Sequence, residues 1–267
     1  MKSKLASIIS IASVIMVAVV VSLIIIFTGI KNGGYNYVKL QSGFEIEFIT
    51  NSKDKVISFK PLNEKARLII ANENFDGISV EEAINNVLIE SLKMGYLATH
   101  DDGFNVIKLT VVSGLTQAVD VNVYRTVNNF LVNNEVLALI IENQNDMEYV
   151  KETKKLGIGT NKLALINSVI ESSTKLTKEQ LKNKTEDELI DIIKTLQENY
   201  MQTDPITEEE IQQKEDLIEQ NQDNYNLHIL NINNKEKGAF VLKLQELQRA
   251  EQRKYELDFS KHYNLNV

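Results

Sequence analysis

The chain has 267 residues, with 29 Lys and Arg against 37 Asp and Glu and a formal net charge of −8. That acidic balance argues against nucleic acid or an anionic membrane surface as a partner and favours solubility. There is no Cys, which excludes disulfides and a lipid-modified cysteine anchor, so stability has to come from a packed core.

Leu5–Ile30 carries no charged side chain and follows only Met1-Lys2-Ser3-Lys4. At about 1.5 Å per residue it makes a helix of roughly 39 Å, enough to cross a ~30 Å hydrocarbon core with some tilt. Lys2 and Lys4 orient it, with the N-terminus cytoplasmic and residues 31–267 outside the cell membrane. A cleaved signal peptide is the competing reading. Its apolar core would be shorter, whereas here the core runs unbroken from Ile8 to Phe27. The best cleavage candidate, Val20-Val21-Ser22, is followed by five more apolar residues, Leu23 to Phe27, so length favours the anchor.

Beyond the spacer Lys31-Asn32-Gly33-Gly34, alternation predicts strands over Tyr35–Leu40, Phe44–Thr50 and Val56–Lys60, with a polar turn at Asn51–Asp54. Leu62–Ala71 fits either helix or strand. Ser79-Val80-Glu81-Glu82 is a capping box, and Val80, Ala83, Ile84, Val87, Leu88 and Leu92 form a helical stripe that stops at Gly95. Val106–Ser113 and Glu135–Asn143 read as buried strands with a β-branched helix, Leu115–Val132, between them.

Helices follow at Met147–Leu156, at Asn161–Glu171 capped by Thr160, at Lys178–Lys182 and at Glu186–Tyr200. The last two open with boxes at Thr177–Gln180 and Thr185–Glu188. The expected class is α+β: an N-terminal transmembrane helix, a small mixed sheet with packed helices, then a helical C-terminal tail. The division is a cytoplasmic stub (1–4), the membrane helix (5–30), an extracytoplasmic domain (31–199) and a polar helical tail (200–267). Asp204-Pro205 starts that tail and Thr207–Glu210 caps its first helix. With few apolar positions before the run Leu227, Ile229, Leu230 and Ile232, the tail reads as partner-binding or poorly packed, and Thr207–Phe259 as the partner surface.

Candidate chemistry is sparse. His100, His228 and His262 lack metal-ligand spacing. Asn72–Gly77 imitates half of an EF-hand loop, but its twelfth position is Ala83, so a polar loop feeding the Ser79 cap is the simpler reading. Ser42-Gly43 and Asp101-Asp102-Gly103 read as turns, Asn183-Lys184-Thr185 as a chance glycosylation sequon, and Thr207–Glu219 as a solvated helix face. Missing Trp weakens a carbohydrate-binding reading. No constellation supports catalysis, so the chain is expected not to be an enzyme and to need no cofactor or metal.

Four stretches resemble the outer region of RsgI-type anti-sigma-I factors, single-pass signalling proteins of the bacterial envelope. They are Lys55-Val-Ile-Ser-Phe-Lys-Pro-Leu-Asn-Glu64; Ser79–Ile84 through Lys93-Met-Gly-Tyr-Leu97; Leu156-Gly-Ile-Gly-Thr-Asn-Lys-Leu-Ala-Leu-Ile166; and Leu176–Ile192. They span about Tyr35–Leu196, in order, after an apolar helix. The resemblance implies a sensory or interaction module whose partner is an envelope ligand or a membrane protein such as a full-length relative.

Two departures qualify it. The family's sigma-binding domain precedes the membrane helix, where four residues stand here, so the expectation is a module without that domain. If coding sequence continued in frame upstream of Met1, the chain would instead be an ordinary anti-sigma factor. Members also self-cleave at an Asn-Pro bond before a strand like Phe44-Glu-Ile-Glu-Phe48, which places Gln41-Ser42 at the matching bond. Gln would need a six-membered ring and Ser lacks proline's restraint, so this position is expected to be inactive. An envelope assembly protein that oligomerises through its C-terminal helices is the alternative.

Overall fold

Alternation of apolar and polar residues produces the first three strands where expected: β1 (Asn36–Gln41), β2 (Glu45–Thr50) and β3 (Val56–Pro61). The computed structural model describes residues 34–99, 104–112, 118–142, 147–173, 175–233 and 237–262. Leu5–Ile30, His100 and Asp101–Gly103 lie outside these. Among the described residues no helix is long and apolar enough to cross a membrane.

The ambiguous segment resolves as a helix, α1 (Glu64–Ile70), because the Asn63 side chain accepts the Ala66 N–H and caps it. Ser79 caps α2 (Val80–Lys93) through Glu82 N–H. Then come β4 (Asn105–Val112), α3 (Ala118–Asn133) and β5 (Ala138–Glu142). β4 and β5 pair in parallel with α3 as the crossover, while the other pairings are antiparallel, and the strand order is β3-β2-β1-β4-β5. The fold is therefore a mixed α+β structure on a five-stranded sheet.

The remaining described helices are α4 (Met147–Leu156), α5 (Thr160–Ser172), α6 (Lys178–Leu181), α7 (Glu186–Thr203), α8 (Glu208–Asn233) and α9 (Lys237–His262). Thr160 is not the cap of α5. Gly159 holds that position, with no side-chain bond, and Thr160 is the first helical residue.

The pleat divides the core in two. Val38, Leu40, Ile46 and Phe48 face a large cluster with α1, α2 and α3, in which Phe75 packs edge-on against Phe48 and Phe59. Tyr37 and Ile49 point to the other face, where Ala164, Ile166 and Val169 of α5, Leu181 of α6 and Leu189, Ile190 and Ile193 of α7 cover them. Helices thus line both faces of the sheet.

The C-terminal helices differ from the loosely packed tail that composition suggested. Phe240 and Leu244 of α9 are buried in the large cluster, and α9 packs along β5 while α8 packs on α1 and α2. Ile232, Phe240 and Leu244 are turned inward, while Leu227, Leu230 and Leu242 stay exposed. Lys214, read as part of a solvated face, is only 5% exposed.

Candidate functional site

The sequence-predicted position, Gln41-Ser42, lies where β1 turns into β2. Gln41 pairs with Glu45 on one side and Lys108 on the other. The turn is tight: Ser42 N–H donates to the Phe44 carbonyl at 2.9 Å, and Gly43 takes φ +74. Phe44 then drops its ring fully into the core.

Asn63 holds this turn from outside. Its Nδ2 donates to the Gly43 carbonyl at 3.3 Å, and its Oδ1 accepts Glu45 N–H at 3.3 Å and Ala66 N–H at 2.9 Å. One side chain therefore caps α1 and ties it to the hairpin. The Asn63-Glu64 pair was the available helix-start signal; the tie to Gly43 has no counterpart in local sequence.

Beside the hairpin lies a groove of about 680 Å³ whose lining includes Lys39, Glu45, Lys60, Asn63, Glu171 and Tyr200. Lys39 sits between Glu45 at 3.6 Å and Glu171 at 3.7 Å. Lys60 Nζ donates to Ser172 Oγ at 2.7 Å. Glu47, the cross-strand partner of both Lys39 and Lys60, is 2% exposed. It accepts bonds from the Tyr37 hydroxyl at 3.1 Å and from Ser168 of α5.

Burial dominates the electrostatics here. It pushes the Glu47 carboxyl above its ordinary range, against the opposing bond from Ser168. It also lowers the Lys60 ammonium, although Glu47 and Glu171 pull the other way. Alternation put Glu45 and Glu47 on one face, but nothing local showed that α5 would cover Glu47.

Arg67 lines the same groove and is spent on the α7–α8 junction. Its guanidinium bonds the Asp204 carboxylate at 2.9 and 3.0 Å, the Pro205 carbonyl at 2.8 Å and Glu210. The Asn72–Gly77 loop works structurally: Asn74 Oδ1 accepts Asp76 N–H at 3.0 Å, and Phe75 fills the core. Among the described residues no group of three or more His, Asp or Glu could hold a metal ion. His228 lies on α8, and Thr185 of the sequon is the N-cap of α7.

Residues 35–168 match the model of the anti-sigma factor RsgI-like central domain. The match starts at β1 and ends at Ser168, the α5 residue bonded to Glu47, short of the Leu196 limit of the resemblance. The chain is 26% identical over 165 residues to the anti-sigma-I factor RsgI7 of Acetivibrio thermocellus, covering 61% of this chain and 30% of that relative. Proteins of this family are regulators that act through contact with other proteins rather than by catalysis. With half of its length matched from first strand to α5, the chain belongs to the RsgI-like anti-sigma factor family through its central domain.

Proposed function

We propose that this protein is a membrane-tethered regulatory module that works outside the cell membrane. Leu5–Ile30 is the tether, Lys2 and Lys4 face the cytoplasm, and residues 31–267 receive an envelope ligand or a membrane-protein partner such as a full-length relative. One observation carries the reading: the family match begins at Tyr35, directly after the uncharged stretch and its four-residue spacer. β1 is bonded to β2 on one side and β4 on the other, so a pull arriving through Tyr35 would be borne by two rows of hydrogen bonds.

The native chain has no Cys, so single reporters are unambiguous. Lys53→Cys, in the exposed β2–β3 turn, should react with a membrane-impermeant maleimide in intact cells. Ser3→Cys should react only after lysis. The reverse pattern, or protection of both, would overturn the topology. The Gln41–Ser42 bond is read as uncleaved, so expression should yield one intact band; fragments broken near Gln41–Gly43 would refute that.

The assembly reading has one observation in its favour. Leu227 and Leu230 on α8 and Leu242 on α9 are 58%, 59% and 63% exposed. Replacing all three with Lys and comparing elution on size exclusion separates the readings. A shift from oligomer to monomer would favour assembly.

A further inference from the structure

Seven positions of α8 repeat at alternating spacings of three and four: Ile211, Lys214, Ile218, Asn221, Tyr225, His228 and Ile232. On a helix they form one stripe, the seam of a coiled coil. Here the seam alternates apolar and polar. Ile218 and Tyr225 pack against the large core cluster and Ile232 is buried.

Each polar member meets the end of a different helix. Lys214 Nζ donates to the Ile69 and Ala71 carbonyls at 3.0 and 2.8 Å, at the end of α1. Asn221 Nδ2 donates to Leu92 and Lys93 carbonyls at 3.2 and 2.9 Å, at the end of α2. His228 Nε2 donates to the Asn134 carbonyl at 2.7 Å, just past α3. These acceptors lie at helix C-termini, where carbonyls lack partners within the helix and the dipole is negative; of them, the Leu92 carbonyl also accepts Gly95 N–H at 3.1 Å. Glu73 and Glu90 add carboxylates 2.9 and 3.3 Å from Lys214. A slip of one residue would break all three sets of bonds, so the polar members set the register.

We propose that this row of three helix ends is a docking site for one α-helix carrying hydrogen-bond donors every seven residues, and that α8 is its detachable occupant in cis. Few α8 side chains are buried; Lys214 and Ile232 are the fully buried ones among those described. Segments held by few apolar contacts open at the lowest local free energies. The link between α7 and α8, Asp204–Thr207, carries no helix or strand, and Arg67 grips it at both flanks through Asp204 and Glu210. Arg67 is the catch, and the seven-residue donor row is the key. The incoming occupant is α8 of a second copy of this chain, whose Lys214, Asn221 and His228 match the three helix ends once the resident α8 swings away.

The test uses the full chain and a fluorescent peptide with the sequence Thr207–Asn233. Arg67→Met should bind it saturably, with affinity about tenfold or more above wild type, whose site is already filled. A peptide carrying Lys214→Met, Asn221→Leu and His228→Leu should bind the variant about tenfold more weakly. Hydrogen exchange on the same variant should rise in α8 while β1 and β2 stay protected. Absent peptide binding with the sheet still protected, equal binding of the substituted peptide, or opening of α8 only together with the sheet would each overturn the proposal. Should Arg67→Met fail to fold, the double variant Asp204→Asn with Glu210→Gln removes both carboxylates that hold Arg67 and is read by the same three criteria.

Discussion

The side-chain amide of Asn221 lies 3.2 Å from where a Cβ on Gly95 would stand, so α8 meets the end of α2 across a residue without a side chain. Gly95 also takes φ +73, a left-handed conformation that costs an L-residue about 1–2 kcal/mol. Gly95→Ala should therefore lower stability by at least about 1 kcal/mol, read from the urea midpoint. In the double variant with Asn221→Ala the two losses should be less than additive, because the clash disappears while the backbone strain stays. A Gly95→Ala protein as stable as wild type would contradict both the strain and the contact.

Lys214 is a buried cation answered by two carbonyls and two carboxylates. Lys214→Met leaves the two carbonyls without their donor, while Glu73 stays partly solvated and Glu90 keeps Lys93, so the expected cost is about 1–3 kcal/mol. Equilibrium urea denaturation measures it. A loss below about 1 kcal/mol would mean that another group closes the end of α1.

Asn63 serves α1 and the β1–β2 turn together. Asn63→Ala should cost about 1–2 kcal/mol through the lost cap, and should speed hydrogen exchange at Glu45, whose N–H it accepts. Asn63→Asp keeps the acceptor but cannot donate to Gly43, so it should retain most of the stability while loosening the turn. If exchange at Glu45 does not respond in either variant, the tie is not formed in solution.

Glu47 makes stability depend on pH. Its folded carboxyl holds a proton more tightly than the ordinary value of 4.5, because burial penalises the charge. The folded state then binds more protons than the unfolded state between 4.5 and its own raised value. Stability should fall as pH rises through that window and show no contribution from this group below it. Lys39 and Lys60 from the sheet and Glu171 from α5 face the same pocket, so the contrast has to be made within one background. Glu47→Gln should be more stable than wild type at about pH 8 and close to it at about pH 4. Equal pH profiles for the two proteins would exclude a perturbed Glu47.

Local signals accounted for most elements. Alternation marked β1 to β3, and capping boxes marked α2, α6, α7 and the start of α8, because these depend on neighbours a few residues away. At α5 the local signal points to Thr160, one residue past the true cap, since a glycine cap leaves no side-chain signature. Leu62–Ala71 stayed ambiguous because its apolar residues fit both periods until Asn63 is seen to bond Ala66. Coverage was the larger gap. That α5 would seal Glu47, or that α8 would lay Lys214 against α1, depends on chain folding back over long distances. The three-and-four repeat on α8 was nevertheless present in the sequence. It was hidden because every second member is polar, and a search for apolar stripes passes over Lys214, Asn221 and His228.

The order of the strands also governs the time course of folding. β1 and β2 can zip as a local hairpin within microseconds, and β3 can join from the next turn. The other edge of β1 has to wait, because β4 lies beyond α1 and α2 in the chain, and β5 needs the α3 crossover before it can add in parallel. Closing those long loops comes late and slowly. Contact order alone therefore predicts that the second edge of β1 is the later one to be covered, and a bare edge is what a strand from a neighbouring molecule can pair with.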